Sequence, residues 1–441
     1  MEHLGHSEQV SDFVVSDRLS QRSGYFLLGR DVLCHGQCSS GVPAESVTDS
    51  LHDALPHVTV RGSSICLPFD PVQVVHNLRR ERYCTKNPPF RKFLGGVTAR
   101  KIYNRLRPML GLTARKHVQK WFFRGWEELP FPKWPVDLTV DYVFEQLTVL
   151  SMKSLNLERR PFIWFWPEGA QSCTIMTHDV ETRIGRDFCS QLMDLDAAFD
   201  IKSAFQIVPE DRYHVSERFL ENIRRRGFEV NIHDLNHDGL LFSDREEFLR
   251  RTQRINDYGR QFGAKGFRSS VLNRNADWYD ALAFFYDMSI PNVAHLEPQR
   301  GGCCTVLPFF VGDILELPVT TTQDYTLFHI LNDYSTRLWR EQISLIRQRH
   351  GLISFIIHPD YVTDAPPRRV YTELLRHLSD LRRQGETWIA LPREVDAWWR
   401  LRRKLTLNKV KGSWRIEGEG SEKARVAYAV LNNGALTYEL A

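Results

Sequence analysis

The chain has 441 residues, 42% apolar and 25% charged, with a formal net charge of +4. That length suits two to three domains of roughly 100–200 residues each, and the composition is that of a soluble globular protein able to bury a core. Positive charge is spread along the chain, which excludes a nucleic-acid footprint, and no apolar run reaches the roughly 18 residues of a membrane-spanning helix. The first twenty residues, MEHLGHSEQVSDFVVSDRLS, lack a basic start followed by an apolar stretch, so no secretory signal is expected. Cys34, Cys38, Cys66, Cys84, Cys173, Cys189, Cys303 and Cys304 follow no framework spacing. Reduced cysteines in a cytoplasmic protein are therefore expected. Cys34-x3-Cys38 around His35 is a weak zinc pattern, because no second ligand pair follows. The 11 tryptophans are first of all expected core residues, since aromatics dominate burial.

Three zones follow one another. Residues 1–160 read as an irregular, then helical, extension. Pro132 and Pro135 in FPKWPVD exclude a helix there, and the helical spacing of apolar residues in DLTVDYVFEQLTVLSMKSL predicts one just after. Residues 161–402 alternate short apolar runs with charged, helix-period stretches. The runs are SCTIMTH, SAFQIV, FEVNIH, KGFRSS, DILELPV, LISFIIH and TWIALP. In IRRRGFEV, QRHGLISF and LRRQGETWIA a glycine follows a basic helix end, a stop signal. Alternating strand and helix predicts βα units around a parallel sheet, and this many strands suit a barrel. WWRLRRKL reads as the last helix of that unit, and residues 403–441, punctuated by KG, EGEG and NNG, as a small β-module with tight turns.

Four motifs fall at the predicted C-terminal ends of different strands, where βα folds place their active sites. Thr177-His178-Asp179-Val180-Glu181 ends its run in two carboxylates. Alone it reads equally well as a helix N-terminus with Asp179 as cap. His178 should face away from Asp179 if the strand continues. His233-Asp234-Leu235-Asn236-His237 sets two imidazoles at i and i+4, which converge on one ion if the segment turns helically. Arg268 in GFRSS and His358 in SFIIHPDY each say little alone. Together the four assemble two carboxylates, a guanidinium and three imidazoles in one domain, the ingredients of a hydrolytic site, and chance rarely places all of them.

This order resembles the polysaccharide deacetylase (NodB-homology) family, carbohydrate esterase family four, over about residues 161–400. The family's motifs stand here as THDVE, HDLNH, FRSSVLNRN and IIHPD. The resemblance implies a distorted, TIM-like (β/α) barrel of about seven strands, with the N-terminal mixed extension and the C-terminal β-module appended. It implies Asp179 as general base, Glu181, His233 and His237 as metal ligands, Arg268 orienting Asp179, His358 as general acid, and LELP (315–318) lining the pocket. Val180 stands where most members carry a metal-binding aspartate, so the ligand role passes to Glu181, as in an Asp-x-Asp branch but one methylene longer. Ser270 stands where many members have proline.

The implied reaction is metal-assisted removal of an N-acetyl group from an amino sugar or polysaccharide precursor, with zinc the divalent cation suggested by ligand type. The expected partner is a carbohydrate. Glu297 and Arg300 in the long loop 297–304, with Asn273 and Trp278 after Arg268, are candidate substrate contacts, although an ordered surface loop accounts for them equally well. Asp234 and Asn236 could support the ligands from behind. Hydrolysis of another non-peptide C–N bond, as in a small amide, is an alternative, as is a non-catalytic carbohydrate-binding relative, against which the intact residue set argues. No motif marks residues 1–160, 403–441 or an oligomer contact.

Overall fold

The computed structural model describes residues 11–84 and 123–441. The extension opens with β1 (Asp12–Val15), a hairpin of β2 (Gly24–Leu27) and β3 (Leu33–Gly36), then β4 (Thr59–Arg61), β5 (Ser64–Leu67) and α1 (Pro71–Arg79). β1, β5 and β4 form one sheet. Strands of three or four residues carry too few alternations to be read from sequence. Phe131–Asp137 is irregular, as its prolines require, and α2 (Thr139–Ser154) follows where apolar spacing predicts it. Val140, Val143 and Leu147 of α2 complete a core with Phe26, Leu67, Phe69 and Leu78.

The barrel runs β7 (Cys173–Val180), α3 (Arg183–Ala198), β8 (Ala204–Ile207), α4 (Glu217–Arg225), β9 (Glu229–His233), α5 (Arg245–Gln261), β10 (Gly266–Arg268), β11 (Tyr286–Asp287), β12 (Phe309–Val311), β13 (Ile314–Glu316), α6 (Arg337–Arg347), β14 (Leu352–Ile357), α7 (Ala365–Arg383), β15 (Trp388–Ala390) and α8 (Pro392–Lys404). All seven predicted runs are strands. The structure adds β11 and β12, of two and three residues, too short to show in the sequence. The sheet order is β12-β13-β11-β10-β9-β8-β7-β14, with β15 also beside β7, and every pair but β12–β13 is parallel. It is a curled half-barrel whose open seam is bridged by threonines. Ser354 N donates to Thr320 Oγ1 (2.9 Å), and the Thr320 and Thr321 hydroxyls donate to the carbonyls of Leu352 and Ser354 (both 2.7 Å) on β14.

Strand alternation sorts β7 into two rows. Cys173 and Ile175 join an interior cluster, while Met176 and Val180 join the core between sheet and helices. Thr177 and Asp179 continue the interior row to the barrel mouth. The opposite end is plugged by Trp164, Trp166, Trp398 and Trp399, all buried, with Trp398 Nε1 donating to the Phe165 carbonyl at 2.7 Å. That is the core role expected of the tryptophans. After α6 it is His350, not Gly351, that turns left-handed (φ +54°). Gly351 is needed for space, since a Cβ there would lie 2.6 Å from Val306 Cγ2.

The C-terminal residues form β16 (Thr406–Val410), β17 (Ser413–Glu417), β18 (Val426–Asn432) and β19 (Ala435–Leu440), with turns at the predicted glycines. β18 also pairs with β6 (Arg159–Ile163), so the module is stitched to the strand that precedes the barrel. All eight cysteines are unbridged. Among the described residues no helix is long and apolar enough to cross a membrane.

One buried carboxyl gives the fold a pH dependence. Asp141 of α2 accepts from the Thr305 hydroxyl (2.8 Å) and Val306 N (3.2 Å), and burial pushes its pKa up to about 7. A carboxyl whose folded pKa lies above its unfolded value near 3.9 contributes stability below that value and loses it as pH rises through 7. Asp141→Asn, with its amide oxygen toward Val306 N and its nitrogen toward Thr305, is therefore expected to be the more stable protein at pH 8, by up to about 4 kcal/mol, and equal to wild type near pH 4. Urea unfolding at the two pH values reads this, and an equal gain at both would contradict it.

Candidate active site

The four motifs converge at the barrel mouth. Asp179 is still within β7 and only 3% exposed. The helix-cap reading of THDVE fails because Thr182 caps α3, its hydroxyl accepting from Gly185 N at 3.0 Å. Asp179 is thus free to face Arg268 at the end of β10, whose Nη1 donates to Asp179 Oδ1 and Thr177 Oγ1 (both 2.7 Å) while Nε donates to the Met288 carbonyl (2.9 Å). Burial pushes the Asp179 carboxyl up, but Arg268, then His233 and His358, outweigh it and hold the group below the usual carboxylate range. An ionised, immobilised carboxylate in a dry site is what a general base requires. His178 points the other way, as alternation predicts, and its Nε2 lies 2.8 Å from Asp196 in the core.

The histidine pair meets by a route the sequence did not predict. His233 ends β9, but the next residues are a bend, with Asp234 and His237 both left-handed (φ +56° and +57°), rather than a helical turn. The rings come to 4.8 Å between centroids. His233 Nδ1 donates to the Arg268 carbonyl (3.2 Å), so Nε2 is the ring atom turned toward Glu181. Asp234 N donates to the same carbonyl (2.8 Å), and the Ser270 hydroxyl donates to Asp234 Oδ2, so the serine that replaces proline ties the β9 and β10 loops together. Asn236 turns instead toward Arg251.

Glu181 completes the group. Its Oε1 lies 2.7 Å from His237 Nε2, 3.6 Å from His233 Nε2 and 3.3 Å from His358 Nε2, and its carbonyl accepts from Arg212 Nε at 3.0 Å. Glu181, His233 and His237 offer donor atoms within 4.8 Å of one another, as do Asp179, Glu181 and His358. Among the described residues, both histidine Nε2 atoms of the first group are buried without a hydrogen-bond partner, although His237 Nε2 stands so near Oε1. Two buried imidazole nitrogens and a carboxylate oxygen converging on one point fit a divalent cation. The extra methylene of Glu181 thus reaches the imidazoles from two residues along the strand.

His358 follows β14 and is held by a residue the sequence reading missed. Asp324 accepts from both the His358 backbone N (2.7 Å) and Nδ1 (2.6 Å). Burial disfavours the imidazolium, but Asp324 and Glu181 outweigh it and raise the pKa well above the ordinary value. His358 Nε2 faces Glu181 Oε1 at 3.3 Å. Asp324 lies in TTTQDY, outside any strand end, and nothing in its spacing points to His358.

The four flanking candidates have different surroundings. Glu297 is 8% exposed, accepts from Gln323 Nε2 (2.7 Å), and burial pushes its carboxyl up to about 7. Asn273 donates to the Gly239 carbonyl at 3.1 Å, beside the His237 bend. The Arg300 carbonyl faces Cys84 Sγ at 3.9 Å. The Trp278 ring contacts are Phe242, Phe248 and Arg245, outside the cluster.

No family model matches the sequence, and no curated protein matches it. Solved polysaccharide deacetylases are similar in fold to about half of this chain. A structure from Mycobacterium smegmatis assigned to the polysaccharide deacetylases is 18% identical, over 54% of this chain and 93% of its own, with a TM-score of 0.43. Puue allantoinase is 11% identical, over 53% and 92%, with a TM-score of 0.42. Peptidoglycan deacetylase PdaC from Bacillus subtilis is 13% identical, over 52% and 91%, with a TM-score of 0.34. These are likenesses of fold.

Proposed function

We propose that this chain is a metal-dependent amide hydrolase that removes an acyl group, N-acetyl in the simplest case, from an amino sugar or polysaccharide precursor. The observation that carries the reading is a pairing across one mouth: Asp179, whose carboxylate accepts from Arg268 Nη1, faces the same group of donors as His358, whose Nδ1 lies 2.6 Å from Asp324 Oδ1. Environments that push two titratable groups apart mark a base and an acid. Glu181, His233 and His237 would hold the divalent cation, zinc by ligand type. When bound, such an ion lowers the pKa of an attacking water and polarises the acyl carbonyl.

The chain's own residues supply the proton traffic. Asp179 takes a proton from the attacking water, whose oxygen forms the new bond to the acyl carbon. The C–N bond breaks, and His358 Nε2 delivers its proton to the departing amine, giving a carboxylate and a free amino sugar. Arg268 keeps Asp179 charged and fixed through charge-assisted hydrogen bonds.

Acetate release from a panel of N-acetylated amino sugars, beside small amides, by protein loaded with zinc tests the reading. Hydrolysis of the sugars supports it, hydrolysis of the small amides alone replaces the substrate class, and no hydrolysis of either removes the reading. Asp324→Asn should lower kcat by about 10–100-fold, as loss of an orienting partner does, with KM little changed. A kcat within twofold of wild type, by steady-state kinetics, would show that His358 needs no such support.

A further inference from the structure

The N-terminal extension reaches the loops of the barrel mouth through one buried ion pair. Glu81, just after α1, meets Arg274, in the loop after β10, and their side chains are 8% and 1% exposed. The pairing is a fork: Arg274 Nε donates to Glu81 Oε2 (2.7 Å) and Nη2 to Oε1. Both partners also hold backbone. Arg274 Nη1 donates to the Leu272 carbonyl (2.7 Å), and Glu81 Oε1 accepts from Gly302 N (2.6 Å). Gly301 leaves the room this requires, since a Cβ there would lie 2.5 Å from Glu81 Oε1. Arg274 N donates to Gln299 Oε1 and Gln299 Nε2 to the Arg274 carbonyl (both 3.0 Å). Glu81 thus ties the loop after β10 to the loop 297–304.

The loop after β10 requires such support. Val271 and Leu272 are both left-handed (φ +49° and +52°), a backbone state that bulky side chains resist and that persists only where the surroundings impose it. The residues on either side of this turn hold the bend that carries His237. Ser270 donates to Asp234, and Asn273 Nδ2 donates to the Gly239 carbonyl (3.1 Å). If the turn relaxed, both donors would shift, and the bend with them. Resting on the ligand assignment above, we propose that Glu81 is a positioning residue for the metal site. Through Arg274 it keeps the Val271–Leu272 turn in its strained form, and the turn fixes the bend that brings His237 to His233 and Glu181. Without the Glu81 charge, Arg274 is a buried cation with its partner gone, and the fork that closes the turn is lost.

The test is the zinc affinity of the full-length chain, read by competition with a chelating dye. Glu81→Gln removes the charge, and Glu81→Asp keeps it on a side chain too short to span Arg274 and Gly302. Each should bind zinc about tenfold more weakly than wild type, as loss of a ligand's outer support does. Asp277→Asn is the control. It breaks the pairs that Arg80 and Arg82 make with a half-exposed carboxylate in the same stretch, and its zinc affinity should match wild type. If Glu81→Gln does not fold, Glu81→Asp gives the reading. Affinity within twofold of wild type in the Glu81 variants, or an equal loss in Asp277→Asn, would overturn the proposal alone. A wild-type chain that takes up no zinc would remove the ligand assignment and the proposal with it. Affinity that depends on Glu81, beside no hydrolysis of any amide, would retain the positioning role and remove the hydrolase reading instead.

Discussion

Asp179→Ala is expected to lower kcat by about 10²–10⁴-fold, the usual contribution of a general base, while the protein still takes up the divalent cation proposed for Glu181, His233 and His237. His233→Ala is expected to lose both the cation and the activity. The contrast follows from geometry. Asp179 Oδ1 is engaged by Arg268 and its Oδ2 stands 3.8 Å from His233 Nε2, whereas His233 Nε2 is buried, unpartnered and 3.6 Å from Glu181 Oε1. Removing the first leaves Glu181, His233 and His237 intact, and removing the second leaves two donors where three converge. Emission spectroscopy of the purified variants reads metal content beside kinetics. Full metal in His233→Ala would sink the ligand assignment.

Arg268→Met should be the most destabilising single change at the site. The guanidinium is fully buried and donates to a carboxylate, a hydroxyl and a carbonyl at once. Its loss strands the Asp179 charge in a dry site, which costs about 3–5 kcal/mol when a buried pair loses one partner. Burial then acts on Asp179 with its largest opposing charge gone, so its pKa rises, less of it is ionised, and nothing holds the carboxylate in place. Adding Asp179→Asn to Arg268→Met should recover part of the lost stability, since no unpaired charge remains, while activity stays low. Urea unfolding of the two single variants and the double one closes the cycle. If the double variant were as unstable as the two losses added together, the charge account would be wrong.

Much of the site was legible because its residues sit at strand ends. Asp179, Arg268 and His358 each terminate or follow an apolar run of the alternating strand and helix pattern, and strand polarity then sends all of them to one mouth. The shared destination needed no knowledge of side-chain contacts. Flanking loops were another matter. Loop residues take their orientation from whatever packs against them, so Glu297 and Trp278, read alike from sequence, lie in a polar cleft and an aromatic cluster respectively.

The sequence by itself determined the alternation of strand and helix, the two rows of β7 and the order of the four motifs, because hydrophobic period and turn chemistry act locally. Only the tertiary structure decided how the candidate ligands meet. Left-handed backbone at Asp234 and His237 replaces the expected helical turn, held by the Arg268 carbonyl and Ser270 from the next loop. Glu181 reaches the imidazoles because Thr182, not Asp179, caps α3. Asp324 orients His358 across 34 residues of chain. Each of these depends on contacts between segments far apart in sequence, for which no local pattern is a substitute.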